Sequence, residues 1–167
     1  MADADRIVAK EVKRLNDLRE ALKFTLAWEG AEYTNDPDDP GGETKWGISK
    51  KAYPNEDIKN LTRERALQIY ARDYWNKLGC DNLVYPYNVA VFDTAVNCGV
   101  NRARVWMNKA SDMNEFVELR HQHYIDIINK NPKLMKYARG WWNRLDDLRK
   151  YLEINGPQEG DVASLKS

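Results

Sequence analysis

Trp28-Glu29-Gly30-Ala31-Glu32-Tyr33-Thr34-Asn35-Asp36-Pro37-Asp38-Asp39-Pro40-Gly41-Gly42-Glu43-Thr44-Lys45-Trp46-Gly47-Ile48-Ser49 is the stretch on which the reading of this chain turns. It joins two patterns. Upstream, Leu15, Leu18, Leu22 and Leu26 recur at helical spacing, and Glu29 falls three residues after Leu26 on the same face. Downstream, acids, prolines and glycines crowd a segment that cannot continue a helix. A carboxylate on the core face of a helix is costly unless it is paired or protonated. Partial burial favours the protonated form of a carboxyl group, which can then donate a proton near neutral pH. Gly30 can take the left-handed conformation that ends a helix, leaving Glu29 pointed into whatever cleft the acidic loop borders. The alternative is an ordinary helix-end Glu paired with a nearby Lys or Arg.

Working outward, the chain of 167 residues is long enough for one domain with a real core. Its 43% hydrophobic and 31% charged residues describe an ordinary soluble protein. Formal net charge is zero, which argues against a dedicated nucleic-acid binder. Any cationic surface must therefore be local. Cys80 and Cys98 permit one disulfide but no framework, and free buried thiols fit a reducing cytoplasm. Met1 to Leu15 alternates charged and apolar residues, with no signal peptide and no run of transmembrane length. His121 and His123 are two apart on an expected helix and face different sides, so they do not share a metal. Neither a zinc cluster nor a phosphate-binding glycine loop is present, and no cofactor or metal is expected. The Asp-rich loop lacks the ligand periodicity of a calcium site.

The pattern predicts a mostly helical α+β chain. A first helix runs from about Asp5 to Trp28, with a break near Asn16, followed by a small hairpin with strands at Tyr33-Thr34 and Thr44 to Ile48. Thr62 caps a helix reaching about Lys77, with Leu61 as staple, Glu64 in its first turn, and Leu67, Tyr70, Ala71 and Tyr74 inward. Pro86 opens the next helix and Gly99 closes it. Asn101 caps a helix to about Lys109, and Asp112 with Glu115 forms a capping box for a helix to Asn129. Asn131-Pro132 starts the last helix, to Leu152, with a kink at Gly140. Residues 156–167 are expected to be a disordered tail.

Three motifs in order carry a resemblance. Glu29-Gly30-Ala31-Glu32-Tyr33, Asn35-Asp36-Pro37 and Asp39-Pro40-Gly41-Gly42-Glu43-Thr44-Lys45-Trp46-Gly47-Ile48 form the first group. Phe92-Asp93-Thr94-Ala95-Val96-Asn97-Cys98-Gly99 and Gly140-Trp141-Trp142-Asn143-Arg144 follow. Together they resemble glycoside hydrolase family 108, a group of phage and bacterial N-acetylmuramidases, across residues 20 to 152. The sequence departs from the family pattern at Ala31, which replaces a second Gly, and at Glu32, an extra residue before the Tyr.

The resemblance implies a single lysozyme-like domain over residues 1–155. Residues 20–95 would be the catalytic segment, and 96–155 a helical segment similar to a peptidoglycan-binding region. Glu29 would be the catalytic acid. Asp36 and Asp39 rank above Asp38 as the second carboxylate, and Thr44 takes the place of a Thr in helix-hairpin phage lysozymes. Asp-Pro and Asp-Pro-Gly are also strong turn formers, so each Asp has a purely structural alternative.

Tyr33, Trp46, Asp93, Asn97, Trp141 and Arg144 are the expected substrate-binding residues, with Trp75 and Trp142 as further aromatic candidates. Their alternatives are core packing for the Trp residues, a satisfied polar pair for Asp93 and Asn97, and a core salt bridge for Arg144. The implied function is a muramidase (lysozyme or endolysin) acting on peptidoglycan for phage-type lysis. It would act as a monomer made in the host cytoplasm and reach the periplasm by a holin. The other readings are a lytic transglycosylase on the same polymer, or a non-catalytic peptidoglycan-binding or secretion-accessory module.

Overall fold

The computed structural model describes residues 2–157. The chain begins with a long helix, α1 (Ala2–Glu29), then a loop and two short strands, β1 (Thr44–Lys45) and β2 (Ile48–Ser49). The rest is helical: α2 (Arg63–Tyr70), α3 (Tyr87–Cys98), α4 (Val100–Lys109), α5 (Met113–Lys130) and α6 (Met135–Asn155). This is the mostly helical α+β architecture expected from the sequence.

Every residue from Tyr87 to Ala95 in α3 is buried. A helix covered on all sides needs neighbours on all sides, and α1, α4, α5 and α6 pack around it. Polar residues on α3 bond to neighbouring helices within the core: the Asn88 side chain donates to Asp17 of α1 at 2.9 Å. The break expected near Asn16 does not occur. One Asn costs well under about 1 kcal/mol of helix propensity, and Asp17, Ala21, Leu22 and Thr25 anchor the surrounding turns in the core.

Where one strand was expected from Thr44 to Ile48, the chain folds back on itself. Thr44 pairs with Ser49 and Lys45 with Ile48, antiparallel. The two residues between them, Trp46 and Gly47, have φ of +54° and +73°. A two-residue hairpin of the favoured twist requires positive φ at both positions. Gly47 meets this freely, whereas Trp46 holds a conformation costing on the order of 1–3 kcal/mol. Thr34 joins the sheet only as an isolated bridge to Thr44.

Thr62 caps α2 as expected, its hydroxyl accepting from the Arg65 N–H at 3.1 Å. The helix does not run evenly to Lys77. After Tyr70 it widens into a π turn, Ala71–Trp75, where the Asn76 N–H reaches the Ala71 carbonyl at 2.9 Å. The extra residue shifts the buried face. Ala66, Ile69, Tyr70 and Trp75 are buried, while Leu67, Ala71 and Tyr74 are only partly covered.

Gly99, with φ +99°, ends α3 and opens α4 directly, so Asn101 is not the cap. Asp112 caps α5 through the Glu115 N–H at 2.8 Å, but Glu115 reaches back to Ser111 and not to Asp112. α6 follows a short 3-10 turn, Pro132–Leu134, and passes Gly140 unbroken. Most of the tail expected to be disordered lies outside the described residues. Cys80 is buried, Cys98 is partly covered, and the two form no disulfide; burial pushes both thiols up.

Candidate active site

Glu29 is the last residue of α1. Gly30 follows at φ +77° and donates its N–H to the Leu26 carbonyl at 2.9 Å, closing the helix. The Glu29 side chain is 23% exposed, at the edge between core and solvent. Its Oε1 accepts from Arg144 Nη1 of α6 at 2.8 Å. No hydrogen-bond partner of Oε2 occurs among the described residues.

Behind this pair lies a closed charge cluster. Arg144 Nη2 donates to Asp93 Oδ1 at 2.8 Å, and Arg120 Nη1 donates to Asp93 Oδ2 at 2.8 Å. The Thr25 hydroxyl adds a bond to Asp93 Oδ1 at 2.9 Å. Arg120 also donates to the hydroxyls of Tyr124 and Thr94. Asp93 and Arg120 are fully buried. Burial alone would raise the Asp93 carboxyl, but the Arg120 and Arg144 guanidiniums outweigh it and hold the group below the ordinary carboxylate value. Burial would likewise lower Arg144, yet the negative charges of Asp93 and Glu29 raise it. Two acids and two arginines thus balance across α1, α3, α5 and α6, and Glu29 is the member that reaches the surface.

The hairpin turn closes over this end of α1. A Cβ built on Gly47 would meet the Tyr70 hydroxyl and lie 2.9 Å from Glu29 Cβ, so only glycine fits there. Tyr70 donates its hydroxyl to the Trp46 carbonyl at 2.7 Å, which pins the strained turn in place. Burial, then the Glu29 charge, push the Tyr70 hydroxyl up.

The loop acids are arranged otherwise. Asp36, Asp38 and Asp39 are all exposed. Asp36 Oδ1 accepts the Asp38 N–H at 2.9 Å, and Asp39 Oδ1 accepts the Gly41 N–H at 2.8 Å. Both are side-chain turns of the kind their Asp-Pro context favours. None of the three is hydrogen-bonded to Glu29 or its cluster among the described residues. Thr44 sits partly covered on β1, its hydroxyl directed to the Gly42 carbonyl at 3.5 Å. The Tyr33 hydroxyl donates to Glu43 Oε1 at 2.6 Å.

Among the expected binding residues, Tyr33 and Trp46 belong to the loop and hairpin. Asp93 is enclosed and touches Arg144, so it holds the site from behind and does not meet a substrate. The described N–H bonds of Arg144 go to Glu29 and Asp93, the core salt bridge. Asn97 accepts from the Tyr124 hydroxyl. Trp141 stacks between Tyr124 and the exposed Tyr137, at ring distances of 5.2 and 6.2 Å. Trp75 is entirely core, packed edge-on against Phe92.

Sequence reasoning passed over Arg120 and Glu43. Arg120 had a signal, standing four residues from both Phe116 and Tyr124 on the buried face of α5. Glu43 is placed by the Thr34–Thr44 bridge, which sets it near Tyr33.

A groove beside Tyr74 is lined by Tyr53, Val96 and Gly99 and extends to Lys77. It continues as a hollow of about 530 Å³ between Lys77, Arg102 and Arg104. Among the described residues these three cations form no ion pair, while Asp73 at the rim is bonded to Arg72 and Tyr53. This is a local cationic surface on a chain of zero net charge.

Over residues 22–99 the chain matches the family model for Glycosyl hydrolase 108. The match takes in Glu29, the loop, the hairpin and α3, and stops short of Arg120 and Arg144. The solved structure of Brucella abortus SagA is similar, with a TM-score of 0.69 and 23% identity over 86% of this chain and 98% of that one. The likeness shows a shared fold. No curated protein matches the chain.

Proposed function

We propose that this chain, whose residues 22–99 belong to the glycosyl hydrolase 108 family, hydrolyses the β-1,4 bond between N-acetylmuramic acid and N-acetylglucosamine in peptidoglycan. The observation that carries the reading is Glu29, inside the matched segment, held from behind by Arg144 and roofed by Gly47. Glycoside hydrolysis needs one carboxyl to protonate the leaving oxygen and a second to assist water or to attack. Glu29 is the acid. A carboxyl fixed in direction before substrate arrives loses little in reorganisation.

Asp36 and Asp39 remain the candidates for the second role. Each gives Oδ1 to its own turn, and neither Oδ2 has a hydrogen-bond partner among the described residues. A turn-fixed carboxylate with one free oxygen can orient a water molecule. Thr44, Tyr33 and Trp46 line the same hairpin, and the Trp141–Tyr137 stack offers a platform for a sugar face. The cations at Lys77 and Arg102 suit the carboxylates borne by muramic acid and its peptides. For a phage-type lytic role, a holin would open the way to the wall; no helix among the described residues is long and apolar enough to cross a membrane.

Digestion of purified cell walls, with mass spectrometry of the released fragments, tests the proposal. Reducing N-acetylmuramic acid ends are expected. Products dominated by the 1,6-anhydro form, one water lighter, would make the chain a transglycosylase. Binding without products would make it a wall-binding module.

A further inference from the structure

Residues 2–13 of α1 are exposed throughout. About 18 Å of helix therefore stands clear of the body. A solitary helix of that length is marginal in water. Its apolar residues are not scattered: Val8, Val12 and Leu15, 61%, 52% and 51% exposed, continue the line of Leu18, Leu22 and Leu26. Those last three, with Trp46 and Leu67, line an open apolar groove of about 620 Å³. Arg19, Lys23 and Arg63 rim that groove, and none has an acidic partner among the described residues. The bare arm carries Asp3, Asp5 and Glu11 beside Arg6, Lys10 and Lys13, with Asp3 paired to Arg6 and Glu11 to Arg14. One helix thus offers an uncovered apolar ridge flanked by mixed charges at one end and an uncovered groove with a basic rim at the other.

We propose that a second copy of the chain covers both. Two α1 helices lie antiparallel about a two-fold axis near Leu15, each arm seated in the groove of the other copy. In that register residue i stands level with residue 30 minus i. Val8 meets Leu22, Val12 meets Leu18, and Glu11 meets Arg19, each twice by symmetry. Asp5 comes within a turn of Lys23. The antiparallel arrangement also sets opposite helix-dipole ends side by side. With three acids against three bases in residues 2–13, the arm has no net positive charge to draw it to an anionic membrane. Trp46 belongs to the same groove, so the visiting arm rests against the hairpin that overlies Glu29. The pairing is the proposed alternative to the monomer expected from the sequence.

Sedimentation equilibrium of the full chain over a concentration series tests this, with oxidative cross-linking of Leu15→Cys. A reversible dimer is expected, weakened at least about tenfold by Glu11→Arg or by Arg19→Glu through like-charge contact. The double variant Glu11→Arg/Arg19→Glu should recover it. In a Cys98→Ser background, since Cys98 is only partly covered and Cys80 is buried, Leu15→Cys should form a covalent dimer on oxidation and the chain retaining Leu15 should not. A single-chain mass at every concentration would overturn the proposal, as would a double variant no better than the singles. Co-sedimentation of single chains with phosphatidylglycerol vesicles, lost in Val12→Asp, would assign the ridge to a membrane instead.

Discussion

The Glu29–Arg144–Asp93–Arg120 cluster and the loop from Asn35 to Glu43 both carry carboxylates, but they hold them by different means. In the cluster, four side chains from four helices neutralise one another, and Asp93 and Arg120 have no access to water. In the loop, each turn-forming Asp is held by a backbone N–H two residues on and stays in solvent. The first arrangement is long-range, and its buried members Asp93, Arg120 and Arg144 depend on one another. The second is local and each turn stands alone. Direction is therefore fixed most firmly at Glu29, which suits the proposed delivery of a proton to one atom. The loop keeps oxygens free, which suits a group that handles water.

The sharpest break of that contrast is Glu29→Gln. It should cut wall hydrolysis by about 10²–10⁴-fold while the melting profile barely moves, since general acid catalysis typically contributes that much. Retention of more than a small fraction of activity in a folded variant would remove Glu29 from the chemistry.

Asp93→Asn strikes the same cluster from behind and should act on stability. Leaving two buried guanidiniums short of their counter-charge costs about 3–5 kcal/mol. In a chain of this size that lowers Tm by on the order of 10 °C. The pH dependence carries a sign. Asp93 is depressed in the folded state, so its contribution is fully present above the unfolded value near about pH 4 and is lost as pH falls through the lower folded value. Acid unfolding curves should show that loss in the parent and lack it in Asp93→Asn. Parallel curves would mean that Asp93 is neutral in the fold.

Gly47→Ala tests whether the hairpin and the cluster are coupled. The added Cβ meets the Tyr70 hydroxyl and Glu29, and positive φ without glycine adds about 1–3 kcal/mol. Activity should fall further than stability, because the displaced atoms include the Glu29 side chain. A stability loss with normal turnover would uncouple the two regions.

The smallest structural effects belong to the loop. Asp36→Asn and Asp39→Asn keep an oxygen for the turn but remove the charge. Melting should change by well under about 1 kcal/mol at such exposed positions, while turnover falls for at least one of them and not for Asp38→Asn. Equal turnover in all three would reduce the loop acids to turn formers and leave the second carboxylate to be sought at Glu43.

The difference between the regions also explains what could be read from the sequence. Helices, caps and the Gly30 stop were legible because their causes lie within a few residues: Thr62 with Arg65, Asp112 with Glu115, Pro86 ahead of Tyr87. Asp-Pro turns were legible for the same reason. Glu29 was marked by its place on an apolar stripe. Its partner was not, because Arg144 lies 115 residues away and only packing brings it there. The π turn after Tyr70 escaped notice because one extra residue in a helical turn leaves no composition signal. The return of the chain at Trp46-Gly47 was hidden by a Trp in a conformation that Trp rarely adopts.

The bond from α1 to α6 also carries a consequence in time. Glu29 is synthesised first, and its guanidinium partner emerges 115 residues later. Until α6 docks, a nascent chain holds its acid without the group that aims it. On the proposed role of Glu29, competence then waits on α6: a ribosome-stalled or prematurely terminated product lacking residue 144 would be inactive. For the wall-degrading activity proposed above, such a sequence of events would keep incomplete copies harmless.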